Sequence, residues 1–81
     1  MEPGKCYYVR TLTDHWVGRC VKVGPFCVTM EEAAWIADSG RLADFMTNGK
    51  AANMEIEPVG EITCRWIAFL PWPHPLFTKQ V

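Results

Sequence analysis

Two runs dense in strand-forming residues, VGRCVKV at 17–23 and FCVTM at 26–30, are separated by Gly24-Pro25 alone. Such a pair reads as a β-hairpin, because two residues are the shortest common link between antiparallel strands. Glycine at the first turn position accepts positive φ, and proline at the second holds φ at about −65°, which predicts a type II′ turn. In that register Val23 faces Phe26 and Val21 faces Val28. Val21, Val23, Phe26, Val28 and Met30 then form the core face, with Cys20, Lys22, Cys27 and Thr29 opposite. Gly18 stands where a barrel strand must bend.

Around this hairpin the sequence predicts two further strands and one helix. Residues 6–12 (CYYVRTL) and 61–70 (EITCRWIAFL) are rich in β-branched and aromatic side chains. The second half of the later run is apolar on both faces, which suits a central strand or one covered by another chain. Residues 42, 45 and 46 (Leu, Phe, Met) fall at helical spacing, so a short helix is expected over 40–48, capped by Asp38 or Ser39 and stopped by Gly49. Residues 33–36 stay open between two states. Thr29 and Glu32 have capping-box spacing and the alanines favour helix, yet a short strand after a Glu-Glu turn fits equally. Residues 50–60 read as a connection with a brief extended piece at 54–57. Residues 1–5 read as a flexible N-terminus, and 71–81 as a proline-rich tail in an extended path.

A chain of 81 residues has room for one domain, taken here as 1–81. Four Trp, four Phe and two Tyr are a heavy load for so small a core. Each buried aromatic removes roughly 150–250 Å² from water, so some are expected at a surface or interface. The formal charge of −1 gives no general reason to bind phosphates, although a local basic patch stays open. No signal segment follows the polar start, and no apolar run is long enough to cross a bilayer. The expectation is a cytoplasmic protein without membrane contact. Cys6, Cys20, Cys27 and Cys64 lack Cys-x-x-Cys spacing, which favours small buried thiols over disulfides or a metal site. No cofactor motif is present, so none is expected.

His15 and His74 are the two histidines, and neither lies in a signature that would make it a general base. Arg10, His15, Trp16, Arg65, Trp72 and His74 combine flat rings with cations, the mixture that stacks a base and contacts a phosphate. These six are the candidate ligand-binding residues. The competing reading makes Trp66 core, Trp72 a pin for the proline tail, and the arginines solubilising groups on strand faces.

The run VGRCVKVGPFCVTMEEAAWI, followed after an excursion by VGEITCRWIAFLPW, resembles the bent-strand pattern of Sm-like small β-barrels over residues 17–70. The usual Asp and Asn of that family's first motif, and the Arg-Gly pair of its second, are absent. The resemblance implies a mainly β fold, a small antiparallel barrel with one short inserted helix, and tilts residues 33–36 towards strand. It also implies ring assembly through edge strands and binding of RNA or nucleotides. EEAAWIADSGRLADF and LPWPHPL further resemble small proteins carried by bacteriophages and prophages, which implies the cytoplasm of a host bacterium. The resulting expectation is a non-enzymatic homo-oligomer holding a nucleotide-like or nucleic-acid ligand, such as a trap for host defence signals. A virion structural or accessory protein that meets another virion or host protein is the alternative, and a small Cys-His enzyme the third reading.

Overall fold

The computed structural model describes residues 1–37, 42–49 and 56–77. Five strands are present: β1 (Cys6–Arg10), β2 (His15–Val23), β3 (Cys27–Ile36), β4 (Ile56–Arg65) and β5 (Ala68–Pro71). One helix, α1 (Leu42–Asn48), lies between β3 and β4. The strands form one antiparallel sheet in the order β4-β3-β2-β1-β5, with β4 and β5 at its hydrogen-bonded edges. Pro58 has no N–H for a ladder on both sides, which suits its place in an edge strand.

The sheet cannot be flat. Its two edge strands are joined by Trp66 and Ile67 alone. Three residue steps reach at most about 11 Å, whereas the edges of a flat five-stranded sheet lie about 19 Å apart. The ladder must therefore coil enough to bring the end of β4 at Arg65 near the start of β5 at Ala68. Gly18 permits the tight passage this needs. A Cβ there would stand 3.1 Å from both Ala33 Cα and Ala33 Cβ, and 3.2 Å from Met30 Cβ. The register slips beside it, and Glu32 takes a positive φ of 50°. Arg19 grips both carboxylates of that kink, at 3.2 Å to Glu31 and 2.8 Å to Glu32.

Alternation along the strands sends apolar side chains to both faces. On the concave face every strand contributes to one cluster: Tyr7, Val9, Cys20, Val28, Met30 and Ala33, with Ile62, Cys64 and Phe69 packed against it. On the convex face Tyr8, Val17 and Ile36 are covered by Phe45 of the helix and Trp72 of the tail. A sheet buried on both sides hides more apolar surface than a single core would. Only one of the ten aromatics, Phe26 at 67%, is strongly exposed. The expected surface aromatic is Phe26, while Trp16, Trp35, Trp66, Phe69 and Phe77 are half-buried and the remaining four are buried.

Several expectations need correction. The hairpin turns one residue later than Gly24-Pro25. Val23 faces Val28, and Gly24 N–H donates to the Cys27 carbonyl at 2.8 Å, so Pro25 and Phe26 are the central pair. Gly24 is not among the glycines with positive φ, and proline occupies the first central position, where its fixed φ fits an ordinary turn. A slip between Cys20 and Lys22 leaves Val21 without an opposite residue. Cys20 is consequently buried, whereas Val21, Val23 and Phe26 are exposed; Val28 and Met30 keep their core places. The expected strand over 61–70 is two strands at opposite edges, because the chain crosses between them at Trp66-Ile67. β1 ends at Arg10, two residues earlier than expected, where Thr11 and Asp14 close a hydrogen-bonded turn. Residues 1–5 do not hang free. Gly4 N–H donates to the Cys20 carbonyl and Cys20 N–H to the Lys5 carbonyl, each at 2.8 Å, while Met1 packs on the concave cluster.

Residues 33–36 belong to β3, as the tilt towards strand expected. The helix is in place, with Phe45 buried, Met46 half-buried and Leu42 exposed at 42%. Gly49 ends it with φ 75°, its N–H donating to the Phe45 carbonyl. The expected caps Asp38 and Ser39 lie outside the described residues, as do 40 and 41 of the expected helix, 54 and 55 of the expected extended piece and 78–81 of the tail.

Candidate functional site

The turn after β1 places Arg10 and His15 directly opposite each other. Thr11 N–H donates to the Asp14 carbonyl at 2.8 Å, Asp14 N–H to Thr11 Oγ1 at 2.9 Å, and Trp35 Nε1 to Asp14 Oδ1 at 3.1 Å. Asp14 is thus held by both backbone and side chain, which fixes the strand entry at His15. His15 Nδ1 shares a hydrogen bond with the Tyr8 hydroxyl, and the two rings stack with centroids 5.8 Å apart. Arg10 and His15 share a face with Tyr8, so one imidazole is committed to the sheet while the guanidinium stays exposed.

From His15 an unbroken row of ring contacts crosses the convex face. Tyr8 meets Phe45 at 5.9 Å, Phe45 meets Trp72 at 4.9 Å, and Trp72 meets His74 at 5.0 Å. Trp72 N–H donates to the Cys6 carbonyl, continuing the β5 ladder by one bond, and Trp72 Nε1 donates to the Pro75 carbonyl. His74 Nε2 donates to the Met46 carbonyl at 2.7 Å, which satisfies one orphan acceptor at the end of α1. Its ring fills the space above Gly49, where a Cβ would stand 2.8 Å from His74 Cγ. Trp72 and His74 are thereby occupied in fastening the tail to the helix. Trp16 points to the concave face, across from Val9 and Trp35.

Arg65 lies at the other end of the sheet's contour, at the close of β4, with its guanidinium 5.6 Å from the centroid of the Phe26 ring. The crossing to β5 brings this residue towards Arg10, because Ile67 N–H donates to the Arg10 carbonyl at 2.8 Å. The six candidates therefore fall into three groups. Arg10 and His15 face each other, and Arg65 comes near through the Trp66-Ile67 crossing. Trp72 and His74 lock the tail, and Trp16 supports the concave cluster. Phe26 at 67%, Ile67 at 58% and Leu12 at 86% are also exposed, Phe26 against the core place that the hairpin register predicts for it. No sequence signal marks Ile67, since its exposure follows from the crossing.

Of the described Lys and Arg residues, Lys5 pairs with Glu2 and Arg19 with Glu31 and Glu32. Among the described residues Arg10, Lys22 and Arg65 have no carboxylate partner. Burial pushes the Cys20 thiol up, and burial followed by the neighbouring Cys27 does the same to Cys64. Both shifts disfavour the thiolate that a nucleophile or metal ligand needs. Neither histidine is hydrogen-bonded to a cysteine among the described residues. No group of three or more His, Cys, Asp or Glu residues converges there as a metal site. No helix among the described residues is long and apolar enough to cross a membrane. Comparison of the chain with protein-family models, curated proteins and solved structures finds no match.

Proposed function

We propose that this chain is a non-enzymatic binding domain that works as a homo-oligomer and holds a nucleotide-like or nucleic-acid ligand. The observation carrying this reading is the β4–β5 crossing. There Ile67 N–H donates to the Arg10 carbonyl and the Arg65 guanidinium lies against exposed Phe26, and among the described residues neither arginine has a carboxylate partner. Unneutralised cations beside a flat apolar surface suit a phosphate attached to a base. Isothermal titration with nucleotides and short RNA tests it. Binding that weakens in Arg10→Ala and Arg65→Ala is expected, and no heat from any of these ligands overturns the reading.

Self-association is supported by two open sheet edges, each carrying exposed apolar side chains: Val59 at 41% on β4 and Leu70 at 40% on β5. An unpaired edge is a template for another strand. The tight coil of the sheet likewise favours a small barrel of the Sm-like kind whose β4 and β5 edges stay available to a second copy. Light scattering tests the assembly, and a 9.2 kDa species at micromolar concentration overturns it. Exposed Leu12 and Ile67 favour a second reading, a virion or host protein as partner. A defined complex with one purified partner protein, together with silence towards nucleotides and RNA, selects that reading.

A further inference from the structure

We infer that the outer face of β2, β3 and β4 beside the 24–26 turn is a seat for the backbone of a single-stranded nucleic acid. This inference rests on the proposed ligand class and adds Lys22, Thr29 and Thr63 to Arg65, the one sequence candidate that lies on this face. Lys22, Thr29 and Thr63 stand directly opposite one another across the three strands. The hydroxyls of Thr29 and Thr63 share a hydrogen bond of 2.9 Å. In such a pair one hydrogen is used between the two oxygens and the other is left to donate to an anion. Two residues further along β4, on the same face, Arg65 packs its guanidinium against the Phe26 ring, whose exposure of 67% leaves it open to a further planar group.

The charges along this face are sorted. Lys22 and Arg65 lack carboxylate partners among the described residues, while Arg19 is saturated by Glu31 and Glu32. Exposed Glu61, two residues before Thr63, bounds the patch on that side. A cationic strip therefore runs only along the edge nearest the turn. Its length across three strands is about 10 Å, more than one phosphate group can use. Two unpaired cations, a hydroxyl pair and one stacking ring together match a strand of phosphodiesters with unpaired bases, for which sequence-tolerant stacking and backbone contacts are the usual means of binding. A duplex presents no free base face to Phe26.

The test uses the full chain and a fluorescein-labelled oligouridylate of about twelve nucleotides, followed by anisotropy. Lys22→Gln, Phe26→Ala and the double variant Thr29→Val with Thr63→Val are each expected to weaken binding by about fivefold or more. Lys22→Gln should also flatten the dependence of log K on log salt by about 0.7. These positions are exposed or half-buried, and circular dichroism confirms that each variant is folded. Binding of the oligonucleotide that Arg10→Ala weakens and none of these three variants alters overturns the seat while leaving the general ligand class standing. Binding of mononucleotides without the oligonucleotide also overturns the seat. Silence of the wild-type chain towards both overturns the two readings together.

Discussion

On the concave face, Tyr7, Val9, Cys20, Val28 and Met30 are enclosed mainly by strands, with Met1 and Trp66 at the margin, whereas on the convex face Tyr8, Val17 and Ile36 are enclosed by one short helix and residues 72–77. The first enclosure is made by the same ladder that forms the sheet, so it cannot open without breaking strand pairs. The second is a cover. Outside the apolar contacts it is held by Trp72 N–H on Cys6, Trp72 Nε1 on Pro75 and His74 Nε2 on Met46. Local openings in proteins are drawn from regions with few such ties. The difference teaches that one sheet can carry two cores of unequal permanence, one intrinsic to its curvature and one added on top.

The comparison can be broken most directly at Phe45, the largest fully buried side chain. Phe45→Ala is expected to cost about 3–5 kcal/mol in urea unfolding. Exchange protection should fall first in residues 42–49 and 72–77, and equal loss across β2 and β3 would show that the faces are not separable. Gly18→Ala tests the opposite face. Its new methyl meets the backbone of Ala33 at 3.1 Å, so a loss of about 1–3 kcal/mol is expected by the same measurement. A neutral result would mean that the sheet relaxes its coil freely.

Gly49→Ala strains a residue at φ 75° and pushes His74 away. A cost of about 1–2 kcal/mol is expected, with faster amide exchange in residues 72–77; unchanged protection there would argue against His74 as the latch. Titration sharpens the concave side further. Burial raises the Cys20 and Cys64 thiols, so above about pH 8.5 the unfolded chain loses protons that the folded chain keeps. Stability is therefore expected to be level below that range and to decline as pH rises through it, with a smaller slope in Cys20→Ala. The smallest effect is expected for Leu12→Ser, at 86% exposure, within about 0.5 kcal/mol of wild type.

Much of the local structure was legible. The helix and its stop at Gly49 followed from the spacing of Leu42, Phe45 and Met46, and β1 and the hairpin strands from β-branched and aromatic density. What failed was register. The turn moved from Gly24-Pro25 to Pro25-Phe26 without changing which residues share a face, whereas the one-residue slip at Val21 exchanged Cys20 for Val21 in the core. A period of two makes any one-residue error complete. The break at Trp66-Ile67 was hidden because apolar residues on both sides of it gave one continuous strand signal, while the crossing is dictated by the coil of the whole sheet.

The candidate site divides in the same way. Arg10 and His15 were chosen for their chemistry, and their opposition arises from the Thr11–Asp14 turn, whose side-chain bonds no short pattern announces. Trp72 and His74 were chosen as ligands for the same chemical reasons, yet their partners are Phe45, Pro75 and Met46. Lys22, Thr29 and Thr63 belong to separate strands and become neighbours only through pairing.

The place of β1 between β2 and β5 has a consequence for how the chain matures. One flank of the earliest strand is answered by the neighbouring segment, but the other waits for residues 68–71, most of the sequence away. During synthesis the nascent chain would carry that bare flank until those residues leave the ribosome, a window in which a chaperone or a stray strand can bind it. Folding through such distant partners is slow, on the order of milliseconds to seconds for domains dominated by non-local pairing.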